Sequence, residues 1–308
     1  MRHFLIDTDT ASDDAVALVM ALTYPDVKVE AITAVSGNVH VDKAVQNALY
    51  TVELCGKQVP VYRGAEKPMR RPLETAEYAH GRDGMGDIGL PLSGRTPAEG
   101  HGVTEIIETI NRFAGNITLV TLGPLTNLAL ALLQDPSIAG KVKECITMGG
   151  TGQGRGNVTP VAEYNIWVDP EAARIVFESA IPITMVGWDA SLAYATFNSQ
   201  EMEKLRNIGT PLAEFCVDIQ KAMNKFSVEE MNLEGFSLPD PLAMAVALDP
   251  AVATGTKSLF VAIETESELC RGQTVVDHLA VTKHESNVEV VLEASREKFL
   301  RILYGAVR

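Results

Sequence analysis

Four aspartates fall within eight positions near the start of the chain: Asp7, Asp9, Asp13 and Asp14, in the run Ile6-Asp7-Thr8-Asp9-Thr10-Ala11-Ser12-Asp13-Asp14. They stand where an apolar stretch of strand type gives way to a helical one. Two carboxylates about 4 Å apart repel by roughly 4 kcal/mol at an effective dielectric of ~20. A fold gathers four of them at a strand end only where a bound cation or ligand hydroxyls offset the repulsion. An oxygen-only donor set suits a hard cation, calcium or magnesium. One or two acidic residues would serve as ordinary helix caps; four exceed that need.

The elements that must position this cluster alternate along the chain. His3–Asp7 reads as a buried strand, and Asp13–Ala21 as a helix with Ser12 or Asp13 as its cap. Strands follow at Val27–Val35, Val59–Tyr62, Ile117–Leu122, Val142–Met148 and Ile183–Val186. Helices fall between and after them at Asp42–Leu54, Gly102–Phe113, Leu125–Leu133 and Pro170–Ser179. This order predicts an α/β fold, an open, mostly parallel Rossmann-like sheet flanked by helices. From about residue 198 to 237 the pattern turns helical (Ser199–Asn207, Pro211–Met223), which reads as an insert. Pro241–Leu248 is a further helix. A small strand-rich part follows near Ser258–Glu264, Thr274–Val281 and Val288–Leu292, with a last helix over Ala294–Ala306. The 308 residues read as a single domain.

Ligands of open α/β sheets sit at the carboxyl ends of the strands. The acidic cluster lies at such an end, as do Ser36-Gly37-Asn38, Leu122-Gly123-Pro124 and Met148-Gly149-Gly150. Two long segments, residues 68–100 and 148–161, lack periodicity and read as lid or binding loops.

Composition narrows the partners. A net charge of -14 argues against nucleic acid, whose phosphates call for basic patches. Cys55, Cys145, Cys216 and Cys270 lack metal-ligand spacing and read as reduced thiols in a cytoplasmic protein. No secretory signal opens the chain, and no stretch reaches the ~20 apolar residues that span a bilayer.

The opening segment resembles the signature of nucleoside hydrolases of the inosine-uridine-preferring type, and further blocks follow in that family's order. They are Ser36-Gly37-Asn38 with Asn47, then Thr121 to Asn127, then Met148-Gly149-Gly150 with Asn157 to Asn165 and Asp169 to Ala173, and last Leu238-Pro239-Asp240-Pro241-Leu242-Ala243. The resemblance implies calcium-dependent hydrolysis of the N-glycosidic bond of ribonucleosides by a homodimer or homotetramer. It implies that Asp9, Asp14 and Asp240 ligate the metal through carboxylates and Leu122 through its carbonyl. Asp13, Asn38, Asn165 and Asp240 would hold the ribose 2′- and 3′-hydroxyls, and Asn157 and Glu163 the 5′-hydroxyl. Met148 would lie against the sugar, with Asp7 and Asn47 supporting. Cleavage builds positive charge on the ribose, which carboxylates stabilise. Asp9 is then the candidate base for the attacking water.

Many family members carry a histidine before the last aspartate. Here Pro239 stands there and has no proton to give. His80, which matches another active-site histidine of the family, becomes the leading acid or base contact, with Arg82 a weaker alternative. Trp167 and Trp188 read more as core or subunit contact than as base pocket. Asn224, Phe226 and Phe236 of the insert lie near the expected base. Two rivals remain at the level of sequence. One is a nucleoside- or ribose-binding protein without turnover. The other is a haloacid-dehalogenase-like phosphatase, whose first motif Asp7-Thr8-Asp9-Thr10 resembles, although that family needs a later lysine and a second acidic pair.

Overall fold

A computed structural model describes residues 1–308. Strand β1 (Arg2–Thr8) leads into helix α1 (Ser12–Thr23), and β2 (Val27–Ala34) into α2 (Val41–Leu54). After β3 (Val61–Arg63) the chain forms the one-turn helix α3 (Glu77–His80) and then α4 (Gly102–Arg112). Next come β4 (Ile117–Thr121), α5 (Thr126–Gln134), β5 (Val142–Met148), α6 (Tyr164–Val168), α7 (Pro170–Phe177), β6 (Ile183–Val186) and α8 (Trp188–Tyr194). The helical stretch contains α9 (Ser199–Arg206), α10 (Pro211–Asp218) and α11 (Lys221–Glu229). A two-stranded antiparallel neck of β7 (Thr196–Phe197) and β8 (Phe236–Ser237) brackets it. Helix α12 (Pro239–Leu248), strands β9 (Ala253–Leu259), β10 (Val261–Ile263), β11 (Thr274–Val276) and β12 (Val288–Ala294), and helix α13 (Arg296–Ala306) complete the chain.

Eight strands form one sheet in the order β3-β2-β1-β4-β5-β6-β12-β9, parallel except for the edge strand β9. Phe4, Leu5 and Ile6 are wholly buried, as a central strand covered on both faces requires. The chain winds from β1 outward through β2 and β3, then returns to the other side of β1 as β4. The crevice between β1 and β4 is therefore the switch point of the sheet, where such folds bind ligands. The bond from the Leu122 amide to the Asp7 carbonyl, 2.8 Å, joins the two strand ends there.

Helix α1 is buried from Ser12 to Leu22 because the sheet covers one side and α12 the other. A helix apolar all round can be satisfied only in such a place. Its cap differs from expectation. Ala11 is the N-cap and has no capping atom, so Asp14 reaches back to accept the Ala11 amide at 2.9 Å. The expected helix Pro211–Met223 is two helices. The break falls at Ile219–Gln220, where Gln220 Nε2 donates 2.8 Å to the Ser12 carbonyl. The expected strand Ser258–Glu264 also divides. β9 joins the main sheet through β12, whereas β10 pairs with β11 in a separate ribbon. Alternation alone cannot show which neighbour a strand will choose. The short helices α3, α6 and α8 escaped the periodicity reading because each is under two turns.

Candidate active site

The floor of the site is the end of β1 and the first turn of α1. Each carboxylate is held by a different neighbour. Asp7 Oδ1 accepts from Thr33 Oγ1 at 2.5 Å and Asn127 Nδ2 at 2.8 Å. Asp9 Oδ2 accepts the Asn38 amide at 2.5 Å. Asp14 Oδ1 accepts from Thr8 Oγ1 at 2.5 Å. Glycine is needed on both sides of Asp9. A Cβ on Gly123 would stand 2.7 Å from Asp9 Oδ1, and one on Gly37 would collide with Asp9 Oδ2.

Asp240 arrives from more than two hundred residues away. It sits in the first turn of α12, behind Pro239 at the first helical position, where a missing amide is no loss. Oxygens of Asp13, Asp14 and Asp240 lie within 4.8 Å of one another, all buried. Asp9 belongs to the same field, since its charge, with those of Asp13 and Asp14, raises the Asp240 pKa beyond what burial does. Burial first, and the Asp14 charge second, push Asp9 well up as well. Burial holds Asp13 and Asp14 at about 6 and Asp7 at about 7.

Three buried oxygens here, Asp7 Oδ2, Asp9 Oδ1 and Asp13 Oδ1, have no hydrogen-bond partner. Buried carboxylates that repel one another and keep unsatisfied oxygens are what a divalent cation would pair with. The donor set fits such an ion.

Above the floor, Asp13, Asn38, Leu122, Met148, Asn157, Glu163, Asn165 and Asp240 all line one cavity. Asp9 and Asp14 lie beneath that wall and are wholly buried. Asn165 Nδ2 donates to the Leu122 carbonyl at 2.7 Å and approaches Met148 Sδ at 3.4 Å. Glu163 caps α6 and accepts the amides of Gly150 at 2.8 Å and Asn165 at 2.9 Å, yet burial still lifts its pKa to about 7. Asn157 Oδ1 accepts the Tyr164 amide at 2.9 Å. Asn47 stands outside the cavity and ties the Thr10 and Asp83 carbonyls together through Nδ2, 2.9 Å to each.

The rest of the lining is largely apolar. Tyr78 and Ala79 come from α3, Met223 and Phe226 from α11, and Trp188 and Pro239 from helix starts. Tyr78 and Phe226 meet edge to face, ring centroids 5.3 Å apart, so the lid segment touches the insert. His80 is not a solvated loop residue. It lines the cavity, is buried, and its Nδ1 lies 2.9 Å from Ser12 Oγ. Burial lowers its pKa to about 4, although the Asp14 charge pulls the other way.

Several sequence expectations change here. Trp188 lines the cavity instead of serving only as core, while Trp167 lies elsewhere under the Arg271 guanidinium, 4.1 Å from its ring centre. Of the insert residues, Phe226 reaches the cavity. Phe236 stacks on Phe197 in the core, and Asn224 lies outside the cavity wall. Arg82 faces an outer groove with Asp42 and Lys43. Tyr78, Tyr164, Met223 and Met231 escaped notice because a lone aromatic or methionine in a loop or short helix carries no spacing signal. No lysine or arginine lines the cavity, so the later lysine that the phosphatase reading calls for is not in this lining.

Fold and cavity together define a mostly parallel α/β protein whose cavity has a buried acidic floor at the switch point of the sheet. The description "Inosine-uridine preferring nucleoside hydrolase" matches residues 4–301. A pyrimidine-specific ribonucleoside hydrolase, RihA, of Salmonella schwarzengrund (strain CVM19633) is 36% identical over 301 residues, which are 97% of this chain and 96% of that protein. Among solved structures, the plant nucleoside hydrolase PpNRh1 superposes with a TM-score of 0.94 at 32% identity, covering 99% of this chain and 98% of that one. A purine-preferring ribonucleoside hydrolase from Gardnerella vaginalis gives 0.91 at 30% identity, with the same coverages. The chain belongs to the inosine-uridine preferring nucleoside hydrolase family. It is an enzyme that hydrolyses the N-glycosidic bond of ribonucleosides.

Proposed function

We propose that this hydrolase is calcium-dependent and that Asp9 is the base that takes a proton from the attacking water. The observation that carries the reading is the set of three unpartnered buried carboxylate oxygens, on Asp7, Asp9 and Asp13, beside the converging carboxylates of Asp14 and Asp240. Asp9, Asp14, Asp240 and the Leu122 carbonyl would hold the ion. Calcium, when bound, lowers the pKa of a coordinated water and neutralises the crowded carboxylates. Its loose, high coordination suits donors that come from three separate elements.

The chain's own residues bind and orient the sugar. Asp13, Asn38, Asn165 and Asp240 would hold the 2′- and 3′-hydroxyls, Asn157 and Glu163 the 5′-hydroxyl, and Met148 the ring face; that all of them line one cavity supports this reading. As the bond to the base breaks, positive charge grows on the ribose, and the carboxylate floor stabilises it. Asp7 is held by Thr33 and Asn127 and supports Asp9 from below. Asn47 does the same for the loop at Thr10. The apolar wall of Tyr78, Trp188 and Phe226 would receive the base.

All four cysteines are unpaired, which fits a reducing, cytoplasmic setting. No helix is long and apolar enough to cross a membrane. A homodimer or homotetramer is the assembly expected from the family resemblance.

The test incubates the protein with inosine, uridine and cytidine and measures free ribose, with calcium present and after chelation. Ribose release that chelation abolishes and calcium restores supports the reading. Release unaffected by chelation would sink the metal assignment, and the three rates report base preference.

A further inference from the structure

Ser12 is the first residue of α1, and its side chain is wholly buried. Its Oγ has one partner, His80 Nδ1 at 2.9 Å. Its carbonyl accepts from Gln220 Nε2 at 2.8 Å, so the residue is held from two sides. The direction of the Ser12–His80 bond follows from the donors available. If Nδ1 carried the ring proton, Ser12 Oγ would accept it and the hydroxyl's own proton would be stranded in a sealed site. A buried donor without a partner is costly and rare in folded proteins. If Nδ1 accepts, the hydroxyl donates, no donor is stranded, and the ring proton sits on Nε2. The other acceptor near Nδ1, Asp13 Oδ1, is 3.7 Å away, beyond hydrogen-bond reach. Nε2 meets no protein partner, and the ring lines the cavity. His80 is also the one histidine in that lining, while Pro239 has no proton to offer.

We propose that Ser12 is a positioning residue that holds His80 as the neutral Nε2–H tautomer, and that this N–H is the hydrogen-bond donor to the departing base. The proposal rests on the nucleosidase reading above. When the C1′–N bond breaks, its electron pair leaves with the base. The Nε2–H group stabilises that charge without surrendering its proton. The oxygen of water bonds to C1′ and one water proton passes to Asp9. The base anion takes a proton from solvent. The sum is nucleoside plus water giving ribose plus base.

The test uses Ser12→Ala and Ser12→Thr in the calcium-loaded full chain. Two substrates are compared: uridine, and 4-nitrophenyl riboside, whose leaving group is stable as an anion. Ser12→Ala is expected to lower kcat on uridine by about 10- to 100-fold with little change in KM, as loss of a hydrogen bond to a developing charge would. Its rate on the nitrophenyl riboside should stay near the wild-type value, and Ser12→Thr should recover most of the uridine rate. In 15N-histidine NMR of the wild type, His80 should show an acceptor Nδ1 and a protonated Nε2. An equal loss on both substrates, no loss on either, or a protonated Nδ1 would overturn the proposal. Wild-type protein that releases no ribose from any nucleoside yet shows the Nε2–H tautomer overturns the nucleosidase reading and the leaving-group role, but not the placement of His80 by Ser12.

Discussion

The two walls of the cavity are built on opposite principles. The sugar side is made of strand ends and the first turns of α1 and α12, and its carboxylates are gripped by Thr8, Thr33, Asn38 and Asn127. The base side is made of short helices from the lid and the insert, and its residues touch through apolar contacts such as Tyr78 on Phe226. Hydrogen bonds at 2.5–2.9 Å fix positions to fractions of an ångström, which bond cleavage needs. Apolar contacts are non-directional and tolerate exchange of side chains. On the proposed reading, the acidic floor would determine whether a ribonucleoside is cut, and the aromatic wall which base is accepted.

This contrast can be broken most sharply at Asp9. Asp9→Ala should lower kcat by about 10³- to 10⁴-fold, the upper range for loss of a positioned base together with a metal donor, while the far-ultraviolet spectrum stays native. Near-normal turnover by this variant would place the chemistry elsewhere.

Metal removal should have the next largest effect, and its size should depend on pH. Burial first, and the Asp13 charge second, raise Asp14, one of the proposed ligands, from 3.8 to about 6. Between its ordinary value and about 6 the folded state binds more protons than the unfolded one, so stability of the metal-free protein falls as pH rises through that window. The penalty is absent below the unfolded value and complete above the folded one. Calcium offsets the charge, so the gap in Tm between loaded and chelated protein should widen from pH about 4 to about 7. A constant or shrinking gap in thermal scans would show that the carboxylates are not charged against one another.

The smallest effect belongs to the aromatic wall. Phe226→Ala should raise KM about tenfold, the equivalent of losing part of one buried aromatic contact, with kcat within a few-fold of normal. A collapse of kcat instead would mean that the insert orients the reaction and does more than hold the base.

Much of the floor was legible because it is local. Asp7, Asp9, Asp13 and Asp14 announce themselves by density, and the alternation of apolar runs places them at a strand end. The blocks around Asn38, Leu122, Asn165 and Asp240 follow the order of a known family, and all line the cavity. The aromatic wall was legible only at Phe226, which the insert's position put near the base. Tyr78, Trp188 and Met231 come from three unrelated segments, and nothing in their spacing distinguishes them from core.

The sequence by itself determined the chemistry on offer: a dense carboxylate cluster, the β-α order that puts it at the end of a parallel strand, and a proline where a histidine could have stood. These are properties of neighbours along the chain, where spacing and side-chain type suffice. Only the tertiary structure decided which carboxylates face each other, that Asp9 and Asp14 lie below the cavity wall, and that Ser12 meets His80 across sixty-eight positions. Such pairings depend on how α1, α3, α11 and α12 pack at the switch point of the sheet. Packing geometry is set by the whole hydrophobic core and by no single segment of the chain.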